Sequence, residues 1–174
     1  MGIPSFQIEK CLVAMESIME GPFPELTILE LRSGGHGETT PAIQVPNSFL
    51  GGSAPRLHFL SLTRIPIKFP VLRKLYSSAA HLVYLYLLKI PPSANISPEA
   101  MVTCLSTLMR LKTLRLEFES PPLRRFQESR HRPSPVRTLL PSLNWLGVQG
   151  VSEYLEDLVG RIDTPLFVYL GIAY

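Results

Sequence analysis

Apolar residues recur in this chain at one spacing, apolar-x-x-apolar-x-apolar, in six eight-residue segments. The segments are Pro24–Leu31, Pro55–Leu62, Ala80–Leu87, Met109–Leu116, Pro141–Val148 and Pro165–Ile172. Every one of the eighteen patterned positions is apolar: Leu26, Leu29, Leu31, Leu57, Leu60, Leu62, Leu82, Leu85, Leu87, Leu111, Leu114, Leu116, Leu143, Leu146, Val148, Phe167, Leu170 and Ile172. In a chain that is 45% hydrophobic, eighteen fixed positions would all be apolar in roughly one random draw in a million, before the choice of register is counted. The pattern is therefore an irregular repeat, with steps of 31, 25, 29, 32 and 24 residues.

Each of these segments predicts one β-strand. Counting from the first apolar residue, positions four and six point to one side of the strand, and positions three and five point to the other. One strand cannot bury its leucines alone, but repeats stacked in parallel bury a continuous core. This spacing and period are typical of leucine-rich repeats. The sequence predicts a single α/β domain over residues 1–174, a leucine-rich-repeat solenoid with six parallel strands on its concave face and helices or irregular segments on its convex face.

The segments between the predicted strands supply the helices. Helical spacing of apolar residues and serine caps predict four of them: 6–19, within an N-terminal helix or cap at 1–22; 70–79; one capped by Ser97; and one capped by Ser152. The glycine-rich connection 33–54 predicts at most one turn, near 47–50. Where many leucine-rich repeats place asparagine, this chain has other residues, and we expect Ile65 and Ile90 to close the strand ends by apolar contact.

The net charge of +3 comes from one segment. Between Ser120 and Arg137 five arginines stand against one acid, which leaves 12 basic and 13 acidic residues elsewhere. The stretch Ser120–Pro135 contains four prolines and no apolar period, which predicts a mobile basic insertion at 120–137. Nucleic-acid binding by these arginines is the least favoured function, because Phe126 is the one aromatic platform near them.

The two cysteines and the apolar runs indicate the compartment. Cys11 and Cys104 fall on the apolar sides of predicted helices, which favours buried thiols in a reducing cytoplasmic or nuclear setting. The longest apolar run, Leu82–Leu88, has seven residues, whereas a membrane span needs about 20. We therefore expect no membrane association.

No catalytic constellation is visible in the sequence. His36, His58, His81 and His131 are far apart in sequence and show no ligand spacing. The run Gly34–Gly37 lacks the lysine of a phosphate-binding loop. We expect no enzyme activity, with no catalytic residue, no cofactor and no metal.

Three longer phrases resemble one protein family. The stretches 47–57, 96–105 and 150–158 resemble the leucine-rich-repeat region of fungal F-box-type proteins, especially those of mushroom-forming fungi. The resemblance implies a ubiquitin-ligase substrate receptor, in which an F-box binds a Skp-type adaptor and the repeats hold a target protein. This chain lacks the Leu-Pro-x-Glu opening of an F-box. Adaptor binding is therefore expected only of a longer form that carries one.

The predicted concave face supplies the candidate binding residues. Positions three and five of the strands place there Phe59, Tyr84, Tyr86, Arg115 and Trp145. Aromatic residues and arginine are the usual anchors of protein interfaces. The alternative is that these aromatics only suit strands and pack against their neighbours. Binding is favoured, because no helix is expected to cover that face.

The sequence therefore leaves three candidate functions. The leading one is a protein-binding repeat module, the target-recognition part of an F-box-type ubiquitin ligase receptor, with an unknown target protein as partner. The second is a structural or truncated repeat domain with no ligase link, and the third is nucleic-acid binding. The apolar, uncharged stretch 168–174 also predicts self-association through the C-terminal strand, and a longer natural form that extends past Tyr174.

Overall fold

A computed structural model describes residues 7–8, 21–33, 45, 48–91, 94, 96–119, 137–150, 152–166 and 168–173, of which 7–8 and 152 by backbone alone. Within these residues the main sheet has seven strands, all parallel: β1 (Gln7–Ile8), β2 (Ile28–Arg32), β3 (Phe59–Thr63), β4 (Tyr84–Ile90), β5 (Thr113–Phe118), β7 (Trp145–Gln149) and β9 (Tyr169–Ala173). They lie side by side in chain order. The predicted ladder of six parallel strands is confirmed, and the protein is a mixed α/β protein.

Equivalent repeat positions pair across the sheet. Position four forms one row of leucines: Leu29, Leu60, Leu85, Leu114, Leu146 and Leu170. Because side chains alternate along a strand, a register shift of one residue would move every leucine to the other face. The repeat spacing therefore fixes both the register and the buried face.

Three helices of the described residues lie against that leucine face. They are α1 (Phe69–Ser78), α2 (Pro98–Leu105) and α3 (Ser152–Val159). Their apolar residues share one core with the strand leucines, as Leu72, Leu105 and Leu158 show by being fully buried. The predicted cap of α2 is confirmed, because the Ser97 hydroxyl accepts a hydrogen bond from the Ala100 backbone N–H at 3.2 Å.

Shorter elements complete the connections. A 3₁₀ turn at Phe49–Gly52 stands where a single turn was expected. Two short strands, β6 (Thr138–Leu139) and β8 (Ile162–Asp163), pair in parallel as a second small sheet. Ile65 and Ile90 are buried in the core, so the expected apolar closure of two strand ends is confirmed.

The burial of the eighteen repeat positions corrects one expectation. Fourteen of them are buried and Leu26 is half-buried, while Phe167 lies outside the described residues. In β9, however, Leu170 is 40% and Ile172 41% exposed. The prediction that all eighteen are buried is met only in part at Leu26. It is wrong for Leu170 and Ile172, because no described helix packs against β9 as the helices do against the preceding strands.

Other expectations fall partly or wholly outside the described residues. Gln7–Ile8 is a strand paired with Glu30 and Leu31, so the helix predicted over 6–19 is wrong there; backbone pairing along β2 replaces helical hydrogen bonds. The rest of 1–20 lies outside the described residues, as do Cys11 and the segment 120–136. The predicted basic insertion at 120–137 is therefore described only at its last residue, Arg137.

The buried Arg161 side chain connects two helices. Arg161 donates to Asp157 Oδ1 at 2.8 Å and to Glu99 Oε1 at 2.7 Å. The hydrogen bond to Asp157 raises the pKa of the Arg161 guanidinium, and both carboxylates add to this effect. Because Glu99 lies in α2 and Asp157 in α3, the side chain ties two successive helices together.

Cys104 should be protected from thiol reagents in the folded protein. It is buried in α2, and burial raises the pKa of its thiol to about 12. Since the thiolate is the reactive form, we expect iodoacetamide to modify Cys104 at least about 100-fold more slowly at pH 8 than in denaturant. The measurement is mass spectrometry on a Cys11→Ser variant, in which Cys104 is the sole cysteine. Equal rates with and without denaturant would contradict the burial.

Candidate functional site

The face of the main sheet opposite the helices carries the candidate site. We call this the open face, formed by positions three and five of the strands: Ile28, Glu30, Phe59, Ser61, Tyr84, Tyr86, Thr113, Arg115, Trp145, Gly147, Tyr169 and Gly171. Alternation sends these side chains away from the leucine core. The three described helices pack on the leucine side, so none of them covers the open face.

Three aromatic rings form a contact cluster on β3 and β4. Phe59 and Tyr84 are register partners whose ring centroids lie 6.2 Å apart. Phe59 and Tyr86 meet edge to face at 5.3 Å, with the ring planes at 87°, an arrangement that aromatic pairs favour. Tyr84 is 42% exposed, whereas Phe59 and Tyr86 are half-buried. We call Phe59, Tyr84 and Tyr86 the aromatic cluster.

A second aromatic pair lies on β7 and β9. The Trp145 and Tyr169 rings are parallel within 9°, with centroids 5.8 Å apart. Each ring leans over the glycine two residues further along its strand. A Cβ at Gly147 would collide with the Trp145 ring, and one at Gly171 would come within 3.2 Å of Tyr169 Cε1. Glycine at 147 is therefore what lets the Trp145 ring take this orientation, whereas a Cβ at 171 would require the Tyr169 ring to shift by only a few tenths of an ångström.

Arg115 lies between the two aromatic groups. In the row of position five it pairs with Tyr86 on one side and Gly147 on the other. Its guanidinium is 3.6 Å from the Glu117 carboxylate, and its side chain is 51% exposed. A salt bridge this exposed contributes little to stability, so the Arg115 side chain can exchange Glu117 for a ligand at small cost.

The five predicted residues thus share one face without forming one cluster. The structure brings Phe59, Tyr84 and Tyr86 into contact and places Arg115 beside them. Trp145 is separated from the aromatic cluster by β5 and instead pairs with Tyr169. Sequence reasoning did not select Tyr169, although the spacing aromatic-Leu-Gly is shared by 145–147 and 169–171 and could have indicated a matched pair.

Basic side chains gather where the strands begin. We call this the amino rim, formed by Arg56, His58, His81, Arg110 and Lys112, all exposed. The His58 and His81 rings stack with centroids 6.2 Å apart, and an Arg110 N–H donates to His81 Nδ1 at 2.9 Å. Two histidines that are far apart in sequence therefore meet, because parallel strands begin at the same edge of the sheet.

No family model, curated protein or solved structure matches this chain. The inference about function therefore rests on the geometry of the site and on the repeat pattern.

The described residues carry side chains of the kinds that are common in protein interfaces. Nowhere among them do three His, Cys, Asp or Glu side chains come close enough to hold a metal ion. Over the same part of the chain, no helix combines the length and the apolar character that crossing a bilayer requires. What they do present is a sheet face with aromatic rings and an arginine, bordered by basic side chains.

Proposed function

We propose that this chain is a leucine-rich-repeat solenoid that binds a target protein with its open face. The fold part of the proposal is supported by strands that repeat in register in chain order, with helices on one side of the sheet. Such arrays expose one face of a parallel sheet as a binding surface.

The observation that carries the binding function is the exposure of aromatic rings on a sheet face that no described helix covers. The few residues that carry most of the binding energy in protein interfaces are enriched in tryptophan, tyrosine and arginine. Tyr84 and Tyr169 are 42% and 53% exposed, so both rings present apolar surface to solvent on this face. Arg115 adds an exposed guanidinium between the aromatic groups.

The resemblance to fungal F-box-type proteins extends the proposal to a role in the cell. The chain acts as the target-recognition part of a ubiquitin ligase receptor, in the cytoplasm or nucleus, and itself catalyses no reaction. Contact with a Skp-type adaptor belongs to a longer form that carries an F-box. The open face binds the target in either form.

Selection from a random 12-residue peptide display library tests the binding function. We expect the purified chain to enrich specific peptides, and Tyr84→Ala and Trp145→Ala each to weaken their binding about fivefold to thirtyfold, as anchor residues do. Leu139→Ala is the matched control, because Leu139 is a similarly exposed side chain (53%) in the second small sheet. Peptides that bind equally well to the open-face variants would refute the proposal. Circular dichroism and the melting temperature show whether each variant is folded.

A further inference from the structure

The amino rim carries more basic side chains than the described acidic residues pair with. Arg56 forms a salt bridge with Glu25 of the preceding repeat. Arg110 donates to an imidazole nitrogen, and such an acceptor nitrogen is uncharged. Among the described residues, Arg110 and Lys112 form no ion pair, and both are exposed. Two adjacent cations therefore face solvent at the start of β5.

Both cations precede β5 in the chain, at the edge of the sheet where the open face begins. Lys112 immediately precedes Thr113, the open-face residue that separates Tyr84 from Trp145 in the row of position three. Neighbouring strands lie about 4.8 Å apart, so the path across the sheet from Phe59 to Tyr169 is about 19 Å. An extended segment of about six residues covers that distance. One short segment that crosses the sheet along this row therefore spans the aromatic cluster and Trp145, and it passes the start of β5, where Arg110 and Lys112 lie.

We propose that the open face and the amino rim bind an extended acidic segment of the target protein, with its carboxylates at Arg110 and Lys112 and its apolar side chains on the aromatic cluster. This inference rests on the proposed function and names the chemistry of the partner. The inference is based on the charge complementarity between these two cations and the carboxylates of such a segment. Rim charges act mainly by steering association, so the two cations select acidic segments while the aromatic rings hold them.

The charges on the same surface favour a protein segment over a nucleic acid. Nucleic-acid sites follow the phosphate backbone with a continuous basic groove. Here Glu30 and Glu117 belong to the same side of β2 and β5 as the aromatic rings. These carboxylates interrupt the basic surface, so the face offers no continuous basic groove to a phosphate chain. A peptide segment needs only a few acidic side chains, which meet the two cations, while its other side chains can be apolar.

The test uses the peptides selected from the random 12-residue library by the full chain. We expect acidic residues to be enriched in them, next to aromatic or aliphatic residues. The double variant Arg110→Glu with Lys112→Glu should lower the association rate of these peptides about tenfold at low salt, with a smaller effect at high salt. The matched control is Arg73→Glu with Lys74→Glu, the same charge change on exposed residues of α1, which should leave the rate unchanged.

The outcomes separate this inference from the proposed function. Selected peptides without acidic enrichment, or an association rate that the double variant does not change, would overturn the acidic specificity and leave target binding standing. Enrichment of no peptide at all would overturn both. A thymidine 20-mer is the comparison ligand: tighter binding of this oligonucleotide than of the peptides, lost in the double variant, would replace the acidic segment by a nucleic acid.

Discussion

Replacing Leu114 by alanine should destabilise the protein by about 2–5 kcal/mol, the range found for fully buried leucines. Leu114 is completely buried in β5. Its register partners are Leu85 on one side and Leu146 on the other, both buried. The substitution removes apolar contact in the middle of the leucine row and leaves a cavity that strands held on both sides cannot close. This is the largest effect on stability that we expect from a single substitution.

Equilibrium unfolding in urea measures the effect, with circular dichroism as the signal. Leu170→Ala is the matched control, because Leu170 occupies the same repeat position in β9 and is 40% exposed. We expect its free energy of unfolding to change by no more than about 1 kcal/mol, since less apolar area and a smaller cavity are at stake. Equal effects at the two positions would show that the leucine row does not form the core.

The sheet was predictable from the sequence because its information is local and repeated. Every repeat has the same spacing of apolar residues. This spacing alone determines which side chains point inward and which strands pair. The helices followed from similarly local signals, such as Ser97 before Pro98. Burial at the last strand was not predictable in this way. Whether Leu170 is buried depends on what packs against it, and its own repeat is as apolar as the others.

The candidate site was predictable as a face and not as a set of contacts. Alternation placed Phe59 and Tyr86 on one side, but their edge-to-face contact depends on the register between β3 and β4. The stacked pair His58 and His81 arises in the same way from residues 23 positions apart (81 − 58). The orientation of the Trp145 ring was harder still to predict, because it depends on the absence of a Cβ at Gly147, two residues further along the strand.

The last described strand, β9, exposes more apolar surface than the other strands of the main sheet. Its outward side chains are apolar on both faces: Tyr169 is 53% exposed on the open face, and Leu170 and Ile172 about 40% on the other. One edge of β9 pairs with β7, and no described strand pairs with the other. An apolar strand with a free edge is a template for pairing with another chain. We therefore expect two copies of the protein to associate through β9.

Leu170→Lys should convert such an assembly into monomers. The lysine would place a charge on the apolar surface that pairing buries, and a buried unpaired charge opposes association strongly. Sedimentation velocity at about 100 μM measures the effect, because exposed edges of this kind associate at micromolar to millimolar concentrations. Leu139→Lys makes the same change at an exposed leucine in the second small sheet and should leave the assembly intact. A wild-type protein that sediments as a monomer at this concentration would show that β9 does not pair with a second copy.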